Sequence, residues 1–570
     1  MKNITLINDL QIPGNEFFDS IIINTYFEIK ELHDISIVSK ESNYIKTTFD
    51  LINKASKALK DGGLLFIYGL PKYLPFFAVK LNDSVVDDQR FLFKYWIGIE
   101  FNSSEEYQVL KNGHIGMLMY LKTKSLESPT PFNLNTKEVR VSHKSCAACG
   151  MNIKDWGGKK HLMNPIGTAL SDVWSDLNSN LADATTIPEE VINRIYGLIK
   201  NDNSKLLIIK QRKNAVDHAA NSIRVLENKN NTLPESEINK VIFGDCFEYM
   251  KSIKTRFPEG VFDLAFADPP YNLLKSYTQY KDTQEDIAYI EWCNKWLNGM
   301  VDILKPGGAL LVLNIPKWAV YHADFLLNKM NFQHWIIWDA LSTPAGKLLP
   351  AHYALLYFTK PGNKIKNNYE ELKYIDSREY CLRFSCIRKR KSQLNDTKEK
   401  MSDIWKDIHR IKHKRDRDYH PCQLPIKLMN RIIELFTNEG DVVYDPFGGA
   451  GTTAISAKLL NRRFILSDID EKYVEISERN LNKVVIDETG KLDYIRESVK
   501  QKNNGNGVAK KSVEVGYLKL CKIHNKILGK DEIRSLDFEI HDLIGKYTGN
   551  FRKLQNICKR KFESEKLLIK

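Results

Sequence analysis

The sequence predicts an α/β fold with two tandem open sheets, the first a degenerate copy of the second, followed by a small C-terminal helical tail. The 570 residues are too many for one hydrophobic core. Residues 1–212 echo residues 239–448 at an offset of about 230 to 245 residues, which indicates an internal repeat. Short apolar runs alternate with helical patterns in both copies, and this alternation is typical of parallel βαβ units.

The matches between the two copies keep their order along the chain. Phe18-Asp19 before an apolar run matches Phe262-Asp263 before another, and each run predicts a buried central strand. Leu59 to Gly63 matches Leu304 to Gly308, a signature of helix, glycine stop and strand. The later matched pairs are Trp96 with Trp335, His114 with His352, Ser171-Asp172-Val173-Trp174 with Ser402-Asp403-Ile404-Trp405, and Asn193-Arg194 with Asn430-Arg431.

The repeat and the polar stretches between its copies predict the domain boundaries. Residues 1–212 form the first domain, residues 213–238 a polar linker, and residues 239–497 the second domain. An insert at about 365–420 interrupts the second domain. Residues 498–570 begin with an Asn- and Gly-rich linker and continue as a basic tail that we expect to be helical.

Composition restricts the class of protein. The formal charge of +13 and the pI near 9.0 favour a polyanionic partner, although an excess of this size also serves solubility. No run of 18 apolar residues is present, so we expect no membrane association. Nine cysteines, an odd number, fit a reducing compartment. We therefore expect a cytoplasmic protein.

The tetrapeptide Asp268-Pro269-Pro270-Tyr271 directly follows the predicted strand 263–267, at the strand end where open α/β sheets bind ligands. Two prolines fix the backbone, so the Asp268 carboxylate and the Pro269 carbonyl can converge as acceptors beside an aromatic ring. Such acceptors suit an exocyclic amine of a nucleobase, and Tyr271 would stack on the extruded base. The alternative interpretation is a Pro-Pro turn with a capping aspartate.

A second motif runs from Asp445 to Thr453 and joins a predicted strand to a helix. Gly449 and Gly451 allow close backbone approach, and the helix amides that follow favour an anionic group such as a carboxylate. Asp468, about 20 residues later at the end of the next strand, is placed to bind ribose hydroxyls. A dinucleotide site has similar spacing, but the loop lacks the GxGxxG pattern.

These residues resemble the beta-class DNA amino-methyltransferases, which bind S-adenosylmethionine through an FxGxG loop and act through a DPPY-type tetrapeptide. The resemblance covers about residues 239–485 and keeps the family order, with target recognition between the two motifs. It implies two Rossmann-like methyltransferase-type sheets. Tyr473 could line the cofactor site or serve as a core aromatic. The residues assigned to S-adenosylmethionine are Asp245, Cys246, His420, Asp445, Phe447, Gly448, Gly449, Gly451, Thr452 and Asp468.

The resemblance also implies a substrate. The acid at Asp268 is more common in adenine methylases, whereas serine is more common in those that modify cytosine, so N6 of adenine in double-stranded DNA is the expected target. An N4-cytosine enzyme, an RNA methylase and a non-catalytic DNA-binding subunit are the alternatives. A separate restriction endonuclease is a possible partner.

The first copy lacks both motifs. Asn24-Thr25-Tyr26-Phe27 stands opposite the tetrapeptide, and Ile208 to Arg212, without glycine, stands opposite the cofactor loop. We expect a catalytically silent domain that contributes to DNA recognition, and a monomer that acts as an internal pseudo-dimer.

Twelve Lys or Arg residues lie between Arg388 and His420, which favours phosphate contact over a merely solvated face. The candidate DNA-binding residues are Arg388, Lys389, Arg390, Lys391, Arg410, Lys412, Lys414 and Arg415.

Cys146 and Cys149 have the spacing of half a zinc site, but no second CxxC follows. His143 and His161 are possible further ligands, and the second copy offers Cys381 and Cys386. Because four residues rather than two separate Cys381 from Cys386, a turn of small residues is the simpler explanation, and we expect no metal.

Overall fold

The computed structural model describes most of the chain up to residue 494 and isolated positions beyond it. The described residues are 4–8, 12, 17–28, 30–31, 40–86, 88–102, 110–153, 161, 163–177, 184–199, 204–210, 231–273, 283–340, 347–362, 365–377, 379–381, 383–393, 398–408, 410–411, 423–486, 492–494, 517–518, 520–521, 523–524, 526–529, 532–533, 555 and 559.

The first copy contributes ten strands and three helices to this part of the chain. In order they are β1 (Ile4–Asn8), β2 (Phe18–Asn24), α1 (Asn43–Lys57), β3 (Leu59–Gly69), α2 (Leu74–Asp83), β4 (Val85–Val86), β5 (Gln89–Glu100), β6 (His114–Thr123), β7 (Arg140–Val141), β8 (Thr168–Ala169), β9 (Val173–Trp174), α3 (Glu189–Ile199) and β10 (Leu206–Lys210).

The chain from β11 to β22 contains the helices α4 to α11. In order its elements are β11 (Lys240–Phe243), α4 (Cys246–Arg256), β12 (Phe262–Ala267), α5 (Asp286–Ile303), β13 (Leu304–Asn314), α6 (Pro316–Leu326), β14 (Asn331–Asp339), β15 (His352–Thr359), α7 (Tyr369–Leu372), β16 (Tyr374–Asp376), α8 (Phe384–Ser392), β17 (Lys398–Lys400), β18 (Ile404–Trp405), α9 (Ile426–Phe436), β19 (Val442–Asp445), α10 (Thr452–Leu459), β20 (Arg463–Asp468), α11 (Glu471–Leu481), β21 (Val484–Ile486) and β22 (Leu492–Tyr494).

Two eight-stranded sheets organise the molecule, and they confirm the predicted α/β class. The first has the order β1-β10-β2-β3-β6-β5-β4, with β9 paired to β5, and the second has the order β11-β20-β19-β12-β13-β15-β14-β18. Strands β2 and β12 are parallel to their neighbours and buried along their length. Burial on both faces explains why each reads as a continuous apolar run.

The sheets match position by position. β10, β2, β3, β6 and β5 of the first occupy the places of β19, β12, β13, β15 and β14 of the second. One place is filled differently, because β1, from the start of the chain, pairs with β10 where β20 pairs with β19. The first sheet is therefore a copy whose edge is completed by another part of the sequence.

The chain separates into two compact units, residues 1–484 and residues 485–570. Both sheets lie in the first unit. In the second, Tyr517, Cys521, Leu528 and Ile533 are buried together in a small apolar cluster. Most of the predicted helical tail and most of the predicted linker at 213–238 lie outside the described residues. Within the described part of the chain, no helix combines the length and apolar character needed to cross a membrane.

The two copies meet across a local pseudo-two-fold axis. Trp96 on β5 stacks on Trp335, its counterpart on β14, with ring centroids 3.7 Å apart and planes 8° from parallel. Asn82 of α2 donates to the Tyr321 hydroxyl of α6, the counterpart helix, at 2.7 Å. Contacts between equivalent residues are the mark of an isologous interface, here formed within one chain.

A reciprocal pair of buried aspartates completes this interface. Asp172 of the first copy accepts hydrogen bonds from the backbone N–H groups of Ala351 and His352 at 2.8 and 3.1 Å. Asp403, its counterpart, accepts from the N–H of Gly113 at 2.9 Å and lies 3.0 Å from Nδ1 of His114. Each copy thus satisfies backbone donors of the other.

We predict that Asp403→Ala weakens the interface, because the buried N–H of Gly113 loses its acceptor. The expected loss in unfolding free energy is about 1–3 kcal/mol. Asp286→Ala, which removes an exposed ion pair with Lys317, should change it by less than about 0.5 kcal/mol. Denaturant unfolding followed by tryptophan fluorescence measures both, and equal effects would contradict the assigned role of Asp403.

Candidate active site

A cavity opens at the carboxyl ends of β11, β12, β19 and β20, the edge at which the sequence predicts a ligand. Its volume is about 1240 Å³ when counted out to the solvent at its mouth. Four segments line it: 244–247 after β11, 268–271 after β12, 445–453 after β19 and 468–473 after β20. The tetrapeptide and the glycine loop therefore share one site, although Asp445 lies 174 residues after Tyr271 in the sequence.

The tetrapeptide is held from both sides by aromatic side chains. The Tyr289 hydroxyl of α5 donates to the Pro270 carbonyl at 2.6 Å, and Nε1 of Trp318 on α6 donates to the Tyr271 carbonyl at 2.7 Å. The Tyr271 hydroxyl donates to Oδ1 of Asp268 at 2.5 Å. These bonds fix the direction of the Asp268 carboxylate at the cavity wall.

The glycine loop turns sharply into α10. Gly449 and Gly451 have φ of 52° and 82°, the left-handed region that side chains rarely adopt. A Cβ on Gly451 would also lie 3.0 Å from the Ser477 side chain. Ser477 and Asn480 of α11 donate to the carbonyls of Gly449 and Ala450 at 2.8 and 3.0 Å. The loop therefore depends both on its glycines and on polar side chains of the next helix.

Asp468 ties the loop to β20, because its Oδ2 accepts the N–H of Gly449 at 2.8 Å. Asp445 lies deeper, where Thr453 Oγ1 and the Phe447 N–H donate to it at 2.5 and 2.9 Å. Burial raises the pKa of Asp445 to about 7, against these donors, and burial also raises the pKa of Asp468. A cation in the cavity would relieve this cost by favouring the charged carboxylates.

The charged side chains that line the cavity are all acidic. The described residues that line it include no lysine and no arginine. Most of the other lining side chains are aromatic or apolar, among them Trp292 and Phe447 with ring centroids 5.7 Å apart. An acidic, partly aromatic cavity suits a cationic ligand with a flat ring and opposes a pyrophosphate. The lining aspartates are Asp245, Asp268, Asp445, Asp468 and Asp470.

Most of the predicted site residues meet at this cavity. The sequence-predicted residues on its wall are Asp245, Cys246, Asp268, Pro269, Pro270, Tyr271, Asp445, Phe447, Gly448, Gly449, Thr452, Asp468 and Tyr473. Asp245 also caps α4 through the N–H of Phe247. Gly451 is the N-cap of α10, behind the wall. His420 lies outside the described residues, although Gln423 and Leu424 of the same segment line the cavity.

The sequence analysis did not identify Trp292, Asp470, Trp318 or Ser477. Trp292 and Asp470 line the cavity, whereas Trp318 and Ser477 position loops. Asp470, two residues beyond Asp468, carried a usable signal, since both follow the same strand. The other three lie on helices whose sequences read as ordinary amphipathic or core patterns.

The candidate DNA-binding residues separate by burial. Arg388, Lys389 and Lys391 are exposed on α8, whereas Arg390 is 8% exposed and stacks its guanidinium 4.4 Å from the Tyr380 ring centroid. Arg410 is half-buried. Lys412, Lys414 and Arg415 lie outside the described residues.

The first copy keeps the frame of the site and fills its centre. The Tyr44 hydroxyl donates to the Thr25 carbonyl at 2.7 Å, one position before the place of the Pro270 carbonyl that accepts from Tyr289. Asn24, opposite Asp268, instead donates to the Thr185 carbonyl at 2.9 Å. Phe27, opposite Tyr271, is fully buried and stacks with Tyr68. In the first copy, the position that corresponds to Tyr271 therefore contributes to core packing.

The predicted half of a zinc site meets a second pair of cysteines. Sulfur atoms of Cys146, Cys149, Cys381 and Cys386 all lie within 4.8 Å of one another. Nε2 of His143 is instead 2.7 Å from the Asn164 carbonyl. The cluster is separate from the cavity residues.

Comparison with known proteins places this architecture in a family. A family described as DNA methylase, N6_N4_Mtase, matches residues 262–479. The type II methyltransferase M.BamHI of Bacillus amyloliquefaciens is 35% identical over 50% of this chain and 71% of its own. M.HpaI of Haemophilus parainfluenzae is 31% identical over 42% and 73%. The DNA adenine methyltransferase YhdJ of Escherichia coli (strain K12) is 27% identical over 43% and 84%.

The matched segment contains the tetrapeptide, the glycine loop and Asp468, and the relatives share most of their length with this chain. The acidic cavity fits the cationic cofactor that the sequence motifs imply. The chain therefore belongs to the DNA amino-methyltransferases, the N6-adenine and N4-cytosine methylases that use S-adenosylmethionine.

Proposed function

We propose that this enzyme methylates N6 of adenine at a specific site in double-stranded DNA, and that it extrudes the target base from the duplex to do so. The observation that carries the proposal is the junction of an acidic, partly aromatic cavity with the Asp268 tetrapeptide. The cavity suits the methyl donor, and the tetrapeptide suits the amine. An amine inside a base stack cannot reach a tetrapeptide on the wall of a cavity, so the base must be extruded.

S-adenosylmethionine supplies an electrophilic methyl group and carries positive charge on its sulfonium and its amino group. Burial raises the pKa of both Asp445 and Asp468, and a bound cation would favour their charged forms, which supports their assignment to the cofactor. The amides of α10 would receive the cofactor carboxylate. Asp245 follows β11 and lines the cavity beside Asp468, since the N–H of Gly244 donates to the Asp468 carbonyl at 3.0 Å.

At the tetrapeptide, the base amine would take the place of the Tyr271 hydroxyl on Asp268. The carboxylate then accepts a hydrogen bond from the amine, which keeps the nitrogen lone pair directed at the methyl group, and it is the nearest acceptor for the proton that the methylated amine loses. The released Tyr271 ring would stack on the base.

Adenine is supported by the acid at position 268 and by similarity to a relative described as a DNA adenine methyltransferase. N4 of cytosine is the alternative, because both targets are exocyclic amines and the same two acceptors serve either. The relatives described as type II methyltransferases support pairing with a separate restriction endonuclease.

DNA contact is proposed for a surface to which both copies contribute. Arg388, Lys389 and Lys391 project from α8, and Lys144 of the first copy is exposed two residues before Cys146, at the turn that meets α8. We assign the silent copy to recognition on this ground, and we propose that one chain suffices because both halves of the pseudo-dimer are present.

Asp268→Ala should separate cofactor binding from transfer. The variant should bind S-adenosylmethionine within a few-fold of the wild type by calorimetry yet transfer no methyl group, because only the amine acceptor is removed. Gly451→Ala should lose binding, since its φ of 82° and the contact with Ser477 oppose a side chain. Equal loss of binding in both variants would contradict the assigned roles.

Comparison of the wild type with Asp268→Ala identifies the methylated base. Single-molecule sequencing of DNA from cells that express the wild type should show N6-methyladenine in one sequence context, absent with Asp268→Ala. N4-methylcytosine in its place would overturn the choice of adenine and keep the amine chemistry. No modified base would overturn the enzymatic proposal.

Cofactor affinity should increase with pH between 6 and 7.5. The pKa of Asp445 is raised to about 7, so its carboxyl is mostly neutral at pH 6 and mostly ionised at pH 7.5, where it attracts a cation. The cofactor amino group stays largely charged below its pKa of about 7.7–8.0. The expected increase is several-fold and at most about eightfold, for one titrating group. Asp445→Asn should flatten the profile in calorimetry, and an unchanged slope would exclude Asp445 as its origin.

Neutralising the α8 surface should weaken DNA binding. The triple variant Arg388→Ala, Lys389→Ala, Lys391→Ala should lower duplex affinity, and its log affinity should fall less steeply with log salt, by about 1 unit of slope for each phosphate that is no longer neutralised. Adding Lys144→Ala should weaken binding further if the first copy contributes. The matched control neutralises Lys46, Lys54 and Lys57, three exposed lysines of α1. An identical salt slope in both triple variants would refute the assignment.

A further inference from the structure

The cysteine cluster joins the two copies at a point remote in sequence from the active-site motifs. Cys146 and Cys149 belong to the first copy and Cys381 and Cys386 to the second, more than 230 residues later. Three of the four side chains are buried, and Ile153 and Tyr380 pack against them. The question is whether four thiols gathered here form an apolar contact or a binding site.

The first pair lies on a turn built like a metal-binding knuckle. Ser145 pairs with Asn152 in an antiparallel bridge, and the N–H of Cys146 donates to the Met151 carbonyl at 2.7 Å. The N–H of Gly150 donates to the Cys146 carbonyl at 2.8 Å, and Gly150 has a φ of 68°. The glycine lets the chain reverse directly after Cys149, so that both sulfur atoms point to the same side.

The second pair comes from the start of α8. Cys381 lies three residues before the helix and Cys386 in its first turn. The N–H of Cys381 donates to Sγ of Cys146 at 3.3 Å, so the two segments are in direct contact. Backbone N–H groups directed at sulfur stabilise thiolates, and thiolate is the form that binds a metal.

The distances between sulfur atoms distinguish the alternatives. Sγ of Cys146 is 3.8 Å from that of Cys386, and Sγ of Cys149 is 3.7 Å from that of Cys381. A disulfide needs about 2.05 Å. Four sulfurs at about 2.3 Å from a zinc ion in a tetrahedron are about 3.8 Å apart, which the two measured distances match. The remaining distances reach no further than 4.8 Å, so small adjustments complete the tetrahedron.

We propose that Cys146, Cys149, Cys381 and Cys386 together bind one structural zinc ion that links the two copies. The ligand set is closed, with four thiolates, which is the composition of structural rather than catalytic sites. Arg383, between the two cysteines of the second pair, donates to the Asn152 carbonyl at 2.7 Å and places positive charge beside the thiolates. The ion would fix the start of α8, and with it the basic surface, against the first copy.

Metal analysis of the purified full-length protein tests the proposal. The wild type should contain about one zinc per chain, and Cys149→Ser, which changes the exposed ligand, should contain far less. Cys293→Ser is the matched control, because Cys293 is a buried thiol of α5 outside the cluster. Loss of zinc in the control alone, or a wild type without metal, would overturn the proposal. Iron at one equivalent would overturn the choice of zinc.

Two further measurements apply even if a ligand variant misfolds. Cobalt introduced in place of zinc should give the visible absorption and sulfur-to-metal charge transfer of a tetrahedral thiolate site. Thiol titration of the wild-type protein should detect four additional reactive thiols after a chelator is added. Two disulfides in the native protein, or no change with chelator, would contradict the site. None of these readouts depends on methyl transfer.

Discussion

The contact on which the architecture depends is the stack of Trp96 on Trp335 with its flanking aspartates. Each copy alone would expose a tryptophan face and several buried backbone donors, whose desolvation without a partner is costly. Because the two copies are separate segments of one chain, one sequence change affects only one side of the contact. The two copies can therefore diverge while their interface persists, provided that the reciprocal bonds of Asp172 and Asp403 remain.

The two copies have diverged in this way at the active site and at the corresponding position of the first copy. Tyr44 and Tyr289 each donate to a carbonyl of the chain that leaves the central strand, at neighbouring positions. The rings of Tyr73 and Trp318 pack on them at similar distances of 4.9 and 4.7 Å. The supporting shell is thus retained in both copies. The residues at the centre have changed function, since Asn24 stands in place of Asp268 and the buried Phe27 in place of Tyr271. The residues that support the site can therefore be retained while the residues that carry its chemistry change.

The sequence predicted the parts that depend on local pattern. The order of repeated pairs identified the two sheets, and the strand-loop-helix motifs at Asp268 and Asp445 identified residues that do share one cavity. It could not predict that β1 takes the place of β20, because strand pairing at an edge leaves no mark in the strand itself. The expectation of no metal discounted Cys381 and Cys386 because their spacing differs from that of a CxxC pair. The sequence does not show that the two pairs come together when the copies meet.

The basic residues of α8 are a second case in which the sequence alone does not separate buried from exposed positions. Cys386 and Arg390 are four residues apart and both buried, while the residues between them include the exposed Arg388 and Lys389. Composition weights all of these cations equally, and helical periodicity separates them only once the buried face is known.

The position of β19 has a consequence for biosynthesis. It lies between β12 and β20, and the Val442 N–H bonds the Asp263 carboxylate 179 residues earlier in the chain. While the ribosome adds those residues, one edge of β12 lacks its native neighbour. Unpaired strand edges of this kind make nascent chains prone to aggregation. The cofactor loop that follows β19 is thus completed late, so a transcript or chain cut short before β20 yields protein without a cavity rather than a weaker enzyme.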